Sequence, residues 1–172
     1  MSFLYTLRTA SAVTAAALIA ASAVPANASS ISAPMAVSAT VIAGCLMLPA
    51  PLSFGNYDPT ATNATTASTP ISLTCTPGTS AKVTLDAGLN AGGSTAFSSR
   101  ALKFVTSSLP YQIYTDTGHS IVWGDGVTGA TGAPTVTGTG LPSTLTAYGV
   151  IPAGSVVAPG VYLDTVAVTV TF

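Results

Sequence analysis

Gly160-Val161-Tyr162-Leu163-Asp164-Thr165-Val166-Ala167-Val168-Thr169-Val170-Thr171-Phe172 is the stretch on which the fold turns. Tyr162, Val166, Val168, Val170 and Phe172 share one face; Thr165, Ala167, Thr169 and Thr171 share the other. That period of two is a β-strand, apolar inward and small or polar outward. A strand so patterned needs a neighbour on each edge, and no sequence follows Phe172 to supply the second. A matching pattern lies near the other end. Ile31, Ala33, Met35, Val37, Ala39 and Val41 are apolar, and Ser32, Pro34, Ala36, Ser38 and Thr40 are small or polar. Cys45 opens a new strand after only Ala43 and Gly44, so segment 31–42 is nearly collinear with that strand. It cannot easily lie beside its own continuation. The two patterns together predict a sandwich short of its last strand, and an N-terminal strand meant for another copy.

Residues 1–28 read as a secretory signal. Arg8 supplies the n-region, Ala12 to Val24 the apolar centre, and Ala26-Asn27-Ala28 the small-x-small cleavage site. The apolar centre is too short to span a bilayer, so no membrane span is expected after cleavage. About 144 residues then remain, enough for one domain with a real core. The expected division is 1–28 signal, 29–42 donor strand and 43–172 sandwich domain.

Charge is scarce. The acids are Asp58, Asp86, Asp116, Asp125 and Asp164, and the bases after cleavage are Lys82, Arg100 and Lys103. No basic patch exists for nucleic acid, whose binding needs clustered cations. Such a chain repels its copies weakly and is suited to assembly or to a chaperone. Cys45 and Cys75 form an even pair behind a secretion signal, which favours a disulfide. Closing a loop of about 30 residues would constrain the unfolded chain by roughly 3–4 kcal/mol. With His119 the single histidine, a metal site lacks ligands.

After the signal, β-rich runs alternate with Gly, Pro, Ser and Thr punctuation. Strands are expected at 31–42, 45–48, 52–54, 71–75, 81–86, 100–105, 111–115, 120–123, 144–151 and 161–172. Segments 58–70 and 124–143 read as loops, and 71–75 with 81–86 as a strand pair about a Pro77-Gly78 turn. Many short strands with turn signals between them point to an all-β sandwich.

Chemical motifs fare poorly against plainer readings. Gly124-Asp125-Gly126-Val127-Thr128-Gly129 matches G-x-G-x-x-G, but Ala-Thr-Gly-Ala-Pro stands where a phosphate-binding helix must start, so it is a turn. Asp116-Thr-Gly118-His119 is a hairpin-turn string, too local to form a triad with Ser120. Tyr111, Tyr114, Trp123, Tyr148 and Tyr162 could build a sugar-stacking platform; filling cores and corners suits them better. No enzyme activity and no cofactor are expected.

Several strings, in order, carry a resemblance: Leu52-Ser-Phe54-Gly55-Asn-Tyr57, Ile71-Ser-Leu-Thr-Cys75, Leu109-Pro-Tyr111-Gln-Ile-Tyr114-Thr-Asp116, Trp123-Gly-Asp-Gly126, Tyr148-Gly149 and the terminal 160–172 stretch. Over roughly residues 45–172 the chain resembles the spore coat protein U domain family, and within it the single-domain subunits of archaic chaperone–usher pili. The resemblance implies an incomplete immunoglobulin-like sandwich lacking its last strand. A periplasmic chaperone lends one, and a neighbouring subunit's donor replaces it during export through an outer-membrane usher. The implied place is the cell surface, reached through the periplasm. The expected donor side chains are Ile31, Met35, Val37, Ala39 and Val41, and the expected acceptor groove is Val166, Val168, Val170 and Phe172. The alternative is a spore-coat or cell-surface binding module that forms no fibre.

Overall fold

A computed structural model describes residues 28–172. The expected signal segment, save its last residue Ala28, lies outside the described residues. The described chain divides into two units between Ala39 and Thr40. In the first, residues 28–39 belong to no β-ladder and are exposed throughout.

The second unit is all-β. Its strands are β1 (Cys45–Pro49), β2 (Thr65–Cys75), β3 (Ser80–Leu85), β4 (Ala101–Phe104), β5 (Ser107–Pro110), β6 (Gln112–Tyr114), β7 (Thr135–Thr137), β8 (Ser143–Ile151) and β9 (Val168–Thr171), with one 3-10 turn at Phe97–Ser99. One sheet runs β1-β2-β8-β6 and the other β7-β3-β9, while β4 and β5 form a separate hairpin. The first order is that of strands A, B, E and D of an immunoglobulin sandwich, and β3-β9 is that of C and F. The place of strand G, beyond β9, is empty among the described residues.

The core lies between the sheets. Ile71, Leu73 and Cys75 of β2 and Ala81, Val83 and Leu85 of β3 are buried in one cluster with Trp123 and Ile151. Trp123 satisfies its one polar atom by donating Nε1–H to the Val83 carbonyl at 3.1 Å. Cys45 lies directly opposite Cys75 in the β1–β2 ladder. The two form the expected disulfide, with Cα atoms 4.1 Å apart.

Several sequence expectations need correction, and segments 31–42 and 52–54, expected as strands, belong to no ladder. Segment 58–70 is not all loop, because β2 begins at Thr65. Thr65, Ala67 and Thr69 turn inward, a β alternation hidden by small residues. Pro70 is tolerated there because the ladder is repaired locally. Ala50 N–H donates to the Pro70 carbonyl, and the Thr69 hydroxyl donates to the Ala50 carbonyl that Pro70 cannot serve.

The Pro77-Gly78 turn is present, with Gly78 at φ +82 and Thr79 N–H donating to the Thr76 carbonyl at 3.0 Å. Its flanking strands do not pair, however. Both edges of β2 are taken by β1 and β8, so β3 crosses into the other sheet. In the expected 124–143 loop, 135–137 is strand β7 on the edge of β3. The expected strand 120–123 is reduced to single bridges, Tyr114 to Val122 and Trp123 to Gly132.

Within 161–172 only Val168–Thr171 forms a ladder with β3. The alternation of burial nevertheless runs from Val161 to Thr171. The ladder stops because Asp86 intervenes. Its carboxylate accepts from Ala167 N–H at 2.8 Å, in place of a backbone carbonyl. Further on, Leu89 N–H donates to the Thr165 carbonyl, and Lys103 and Leu163 exchange a pair of backbone bonds.

Candidate functional site

The outer strands β1 of the first sheet and β9 of the second lie near each other, with Cα atoms approaching within 8 Å. Between them the core is incompletely covered. Met47 of β1, then Leu52, Phe54 and Tyr57 beyond it, line one wall as half-buried side chains. Tyr162, Val166, Val168 and Val170 line the other. Alternation along the terminal stretch therefore places three of the four expected acceptor residues on the core side. Phe172, the fourth, lies past the last ladder residue and stays 57% exposed.

Past the ends of β1 and β9, where these walls continue as 52–57 and 157–164, lies a groove of about 760 Å³ with Leu102, Leu109 and Ile151 beneath. Two features shape it. Gly149 on β8 has no side chain, so Leu52 and Phe54 lie against the strand backbone; an added Cβ would stand 2.8 Å from Leu52 Cδ2 and 2.7 Å from Phe54 Cζ. Phe54 then meets Tyr111 edge-on at 6.1 Å between ring centroids. Tyr57 closes the far end, its hydroxyl donating to the Pro152 carbonyl at 3.1 Å and accepting from Ser155 N–H at 2.9 Å.

Asp164 is the one charged residue among those lining the groove. Its charge is occupied, accepting from the Tyr111 hydroxyl at 2.7 Å and from Asn90 N–H at 3.2 Å. Burial, then the bond to Asp164, pushes the Tyr111 phenol far above its usual range. Behind Tyr111 lies Arg100, 1% exposed. It donates to Gln112 Oε1 at 2.8 Å and to the carbonyls of Asp86 at 2.6 Å and Trp123 at 2.9 Å. Burial lowers its pKa, and the charges of Asp86 and Asp164 work against that. These groups hold stretch 163–167, and so one wall, where the regular ladder lapses.

Sequence reading missed this arrangement. Arg100 and Asp164 look like ordinary surface charges in a string, and only the fold brings them together. Leu52 and Phe54 carried a usable signal, since they alternate around Ser53 just after β1.

The expected donor residues Ile31, Met35, Val37, Ala39 and Val41 are exposed, as is the whole stretch from Ala28 to Ile42. The turn readings fit the observed geometry. Asp125 accepts from Val127 and Thr128 N–H, each at 2.8 Å, inside the glycine-rich string. Asp116 accepts from Ile121 N–H at 2.8 Å and from the Ser120 hydroxyl at 2.8 Å, while His119 packs on Tyr114. Tyr111 and Trp123 are core residues, and Tyr162 packs on Phe104, so the five aromatics form no common platform. No group of three or more His, Cys, Asp or Glu side chains is placed to hold a metal among the described residues.

Fold and groove together define an incomplete immunoglobulin-like sandwich with an uncovered strand position. The Spore Coat Protein U domain matches residues 31–169, and the chain belongs to that family. It is 37% identical over 130 residues to Protein U of Myxococcus xanthus, covering 70% of this chain and 71% of that one. Its fold is similar to that of a chain in the CsuC–CsuE chaperone–tip adhesion subunit pre-assembly complex from archaic chaperone-usher Csu pili of Acinetobacter baumannii. The TM-score there is 0.55 at 22% identity, over 77% of this chain and 41% of that chain. This chain thus spans less than half the length of that one.

Proposed function

We propose that the protein is a structural subunit of a bacterial surface fibre, assembled by strand donation between copies. The observation that carries this is the half-buried row Val166, Val168 and Val170 beside the free edge of β9, continued by a groove at 157–164, in a chain whose exposed segment 31–41 has the alternation to cover it. Ile31, Met35, Val37, Ala39 and Val41 of one copy would enter the groove beside Val166, Val168 and Val170 of the next, toward Phe172. Recognition of this kind uses backbone ladders for affinity and alternate side chains for specificity. Because donor and acceptor are different surfaces, the contact is head-to-tail, and wherever its rotation does not close a ring it propagates into a filament.

The energetics call for assistance. Burying Ile31, Met35, Val37 and Val41 gives about 6–12 kcal/mol gross at about 1.5–3 kcal/mol each. Ordering about a dozen backbone residues at about 1–2 kcal/mol each offsets much of that. An inserted strand also needs its neighbours about 9–10 Å apart, whereas Cα atoms of β1 and β9 approach within 8 Å. A partner that holds the groove open before exchange answers both costs. This supports a periplasmic chaperone, with an outer-membrane usher completing export of a secreted, surface-located product. The family likeness to Protein U keeps a coat module without fibres as the second reading.

The experiment is a fibre assay of two variants co-produced with their chaperone. Val37→Asp places an unpaired charge on the inward face, where burial is strongly disfavoured, and is expected to abolish fibres. Ser38→Asp on the outward face is expected to leave them. Equal fibre yield from both would remove strand donation by this segment.

A further inference from the structure

Donation by segment 31–41, on which this inference rests, also fixes what meets at the junction of two copies. The donor is tethered tightly to its own domain. Gly44 N–H donates to Thr76 Oγ1 at 2.8 Å, the Thr76 hydroxyl donates back to the Gly44 carbonyl at 2.9 Å, and Thr76 N–H donates to the same carbonyl at 2.9 Å. From Val41 to this pinned residue there are three steps of chain, at most about 10–11 Å fully extended. That is close to the spacing of two packed sheets. The donating domain must therefore press against the end of the accepting one.

Topology says which end. A strand in the place of G runs antiparallel to F, so Ile31 lies toward Phe172 and Val41 toward the start of the terminal stretch. Parity then sets the face. Tyr162 turns inward with Val41, so Ile42 shares the outer face with Val161 and Leu163 and lies beside one of them.

Both sides show an anomaly there. On the donor, the outward positions run Ser32, Pro34, Ala36, Ser38 and Thr40, then break to Ile42, which is 81% exposed. On the acceptor, Val161 and Leu163 are 70% and 67% exposed. Leu163 bridges to Lys103 of β4, which carries the adjoining hairpin tip. At that tip sits Val105, 83% exposed and at φ +54. A β-branched residue in the left-handed region is strained, and retained strain marks positions selected for something other than stability.

We propose that Ile42 of one copy docks on Val161, Leu163 and Val105 of the copy accepting its strand. Consecutive subunits then meet in a fixed joint rather than a free swivel.

Paired cysteines test it. Fibres of Ile42→Cys/Val161→Cys and of Ile42→Cys/Thr171→Cys are oxidised, then boiled in detergent without reductant. The first pair is expected to leave a ladder of crosslinked oligomers and the second only monomer. A ladder from 42/171, or none from 42/161, overturns the joint. Unboiled samples of the parent chain report strand donation separately. Detergent-resistant oligomers there, without a 42/161 crosslink, overturn the joint alone, and their absence overturns donation with it. As a second readout, Ile42→Ser fibres should form at parental yield but bend more, with persistence length at least about twofold shorter in micrographs. Unchanged stiffness counts against the joint.

Discussion

Tyr111 is where the groove's charge meets the core. Its hydroxyl holds Asp164, and burial with that bond raises its pKa. The folded state therefore keeps the phenol protonated after the unfolded chain has begun to lose the proton, near pH 10. The stability this contributes is complete below about pH 10 and declines as pH rises beyond it. Tyr111→Phe should cost about 1.5–3 kcal/mol at neutral pH, the worth of a hydrogen bond to a charged group. The gap between parent and variant should narrow by pH 10.5 to 11, as urea unfolding at each pH would reveal. Two stability curves that stay parallel to pH 11 would contradict this role. None of it was readable from the string Leu109-Pro-Tyr111-Gln-Ile, in which a tyrosine is simply an aromatic. Arg100 was equally opaque, since arginine is rarely buried without a partner. Here its partners are two backbone carbonyls and Gln112, which composition does not advertise.

Among the elements, those with large apolar residues in alternation were legible: β3, β8 and the terminal stretch. Strand β2 shows why others were not. Its first half is built of Thr, Ala and Ser, whose period is real but carries little hydrophobic contrast. The turn after β2 was recognisable from Pro77-Gly78, but turn chemistry does not say whether the next strand pairs back or crosses to another sheet. Strand β8 also bears on the groove. Gly149 leaves room for Leu52 and Phe54 to lie over it, so a methyl group there would push that wall into the groove. Gly149→Ala should leave the sandwich folded, because the displaced atoms are side-chain ends. Overpacking costs about 1–3 kcal/mol, and we expect it to appear mainly as a several-fold loss of fibre yield. Quantitative electron microscopy beside thermal melting separates the two effects. Normal fibre yield would show that this wall is not used.

For the molecule as a whole, the fold class and the uncovered strand position were legible because both rest on period-two patterning, which sequence displays directly. The groove's interior was not, because it is assembled from stretches distant in sequence, 52–57, 102–111 and 157–164. The disulfide lay between these cases. An expected secretion signal and an even cysteine count predicted it, but only the register shows that it sits at the first rung of β1, directly opposite Cys75.

That position matters under tension. In the proposed fibre a pull arrives through Ile42 and Gly44, immediately before Cys45. Without the crosslink, the load would fall on the β1–β2 ladder at its end rung, and hydrogen bonds loaded one at a time peel apart easily. With it, the load passes covalently into Cys75 and spreads through the centre of the sheet, so the domain would be loaded in shear. Reduction should therefore weaken the fibre mechanically more than thermally. Its thermodynamic cost is roughly 3–4 kcal/mol, whereas single-fibre pulling in reductant should show domains unravelling from the β1 end at markedly lower force. Identical force–extension traces with and without reductant would mean that the load takes another path.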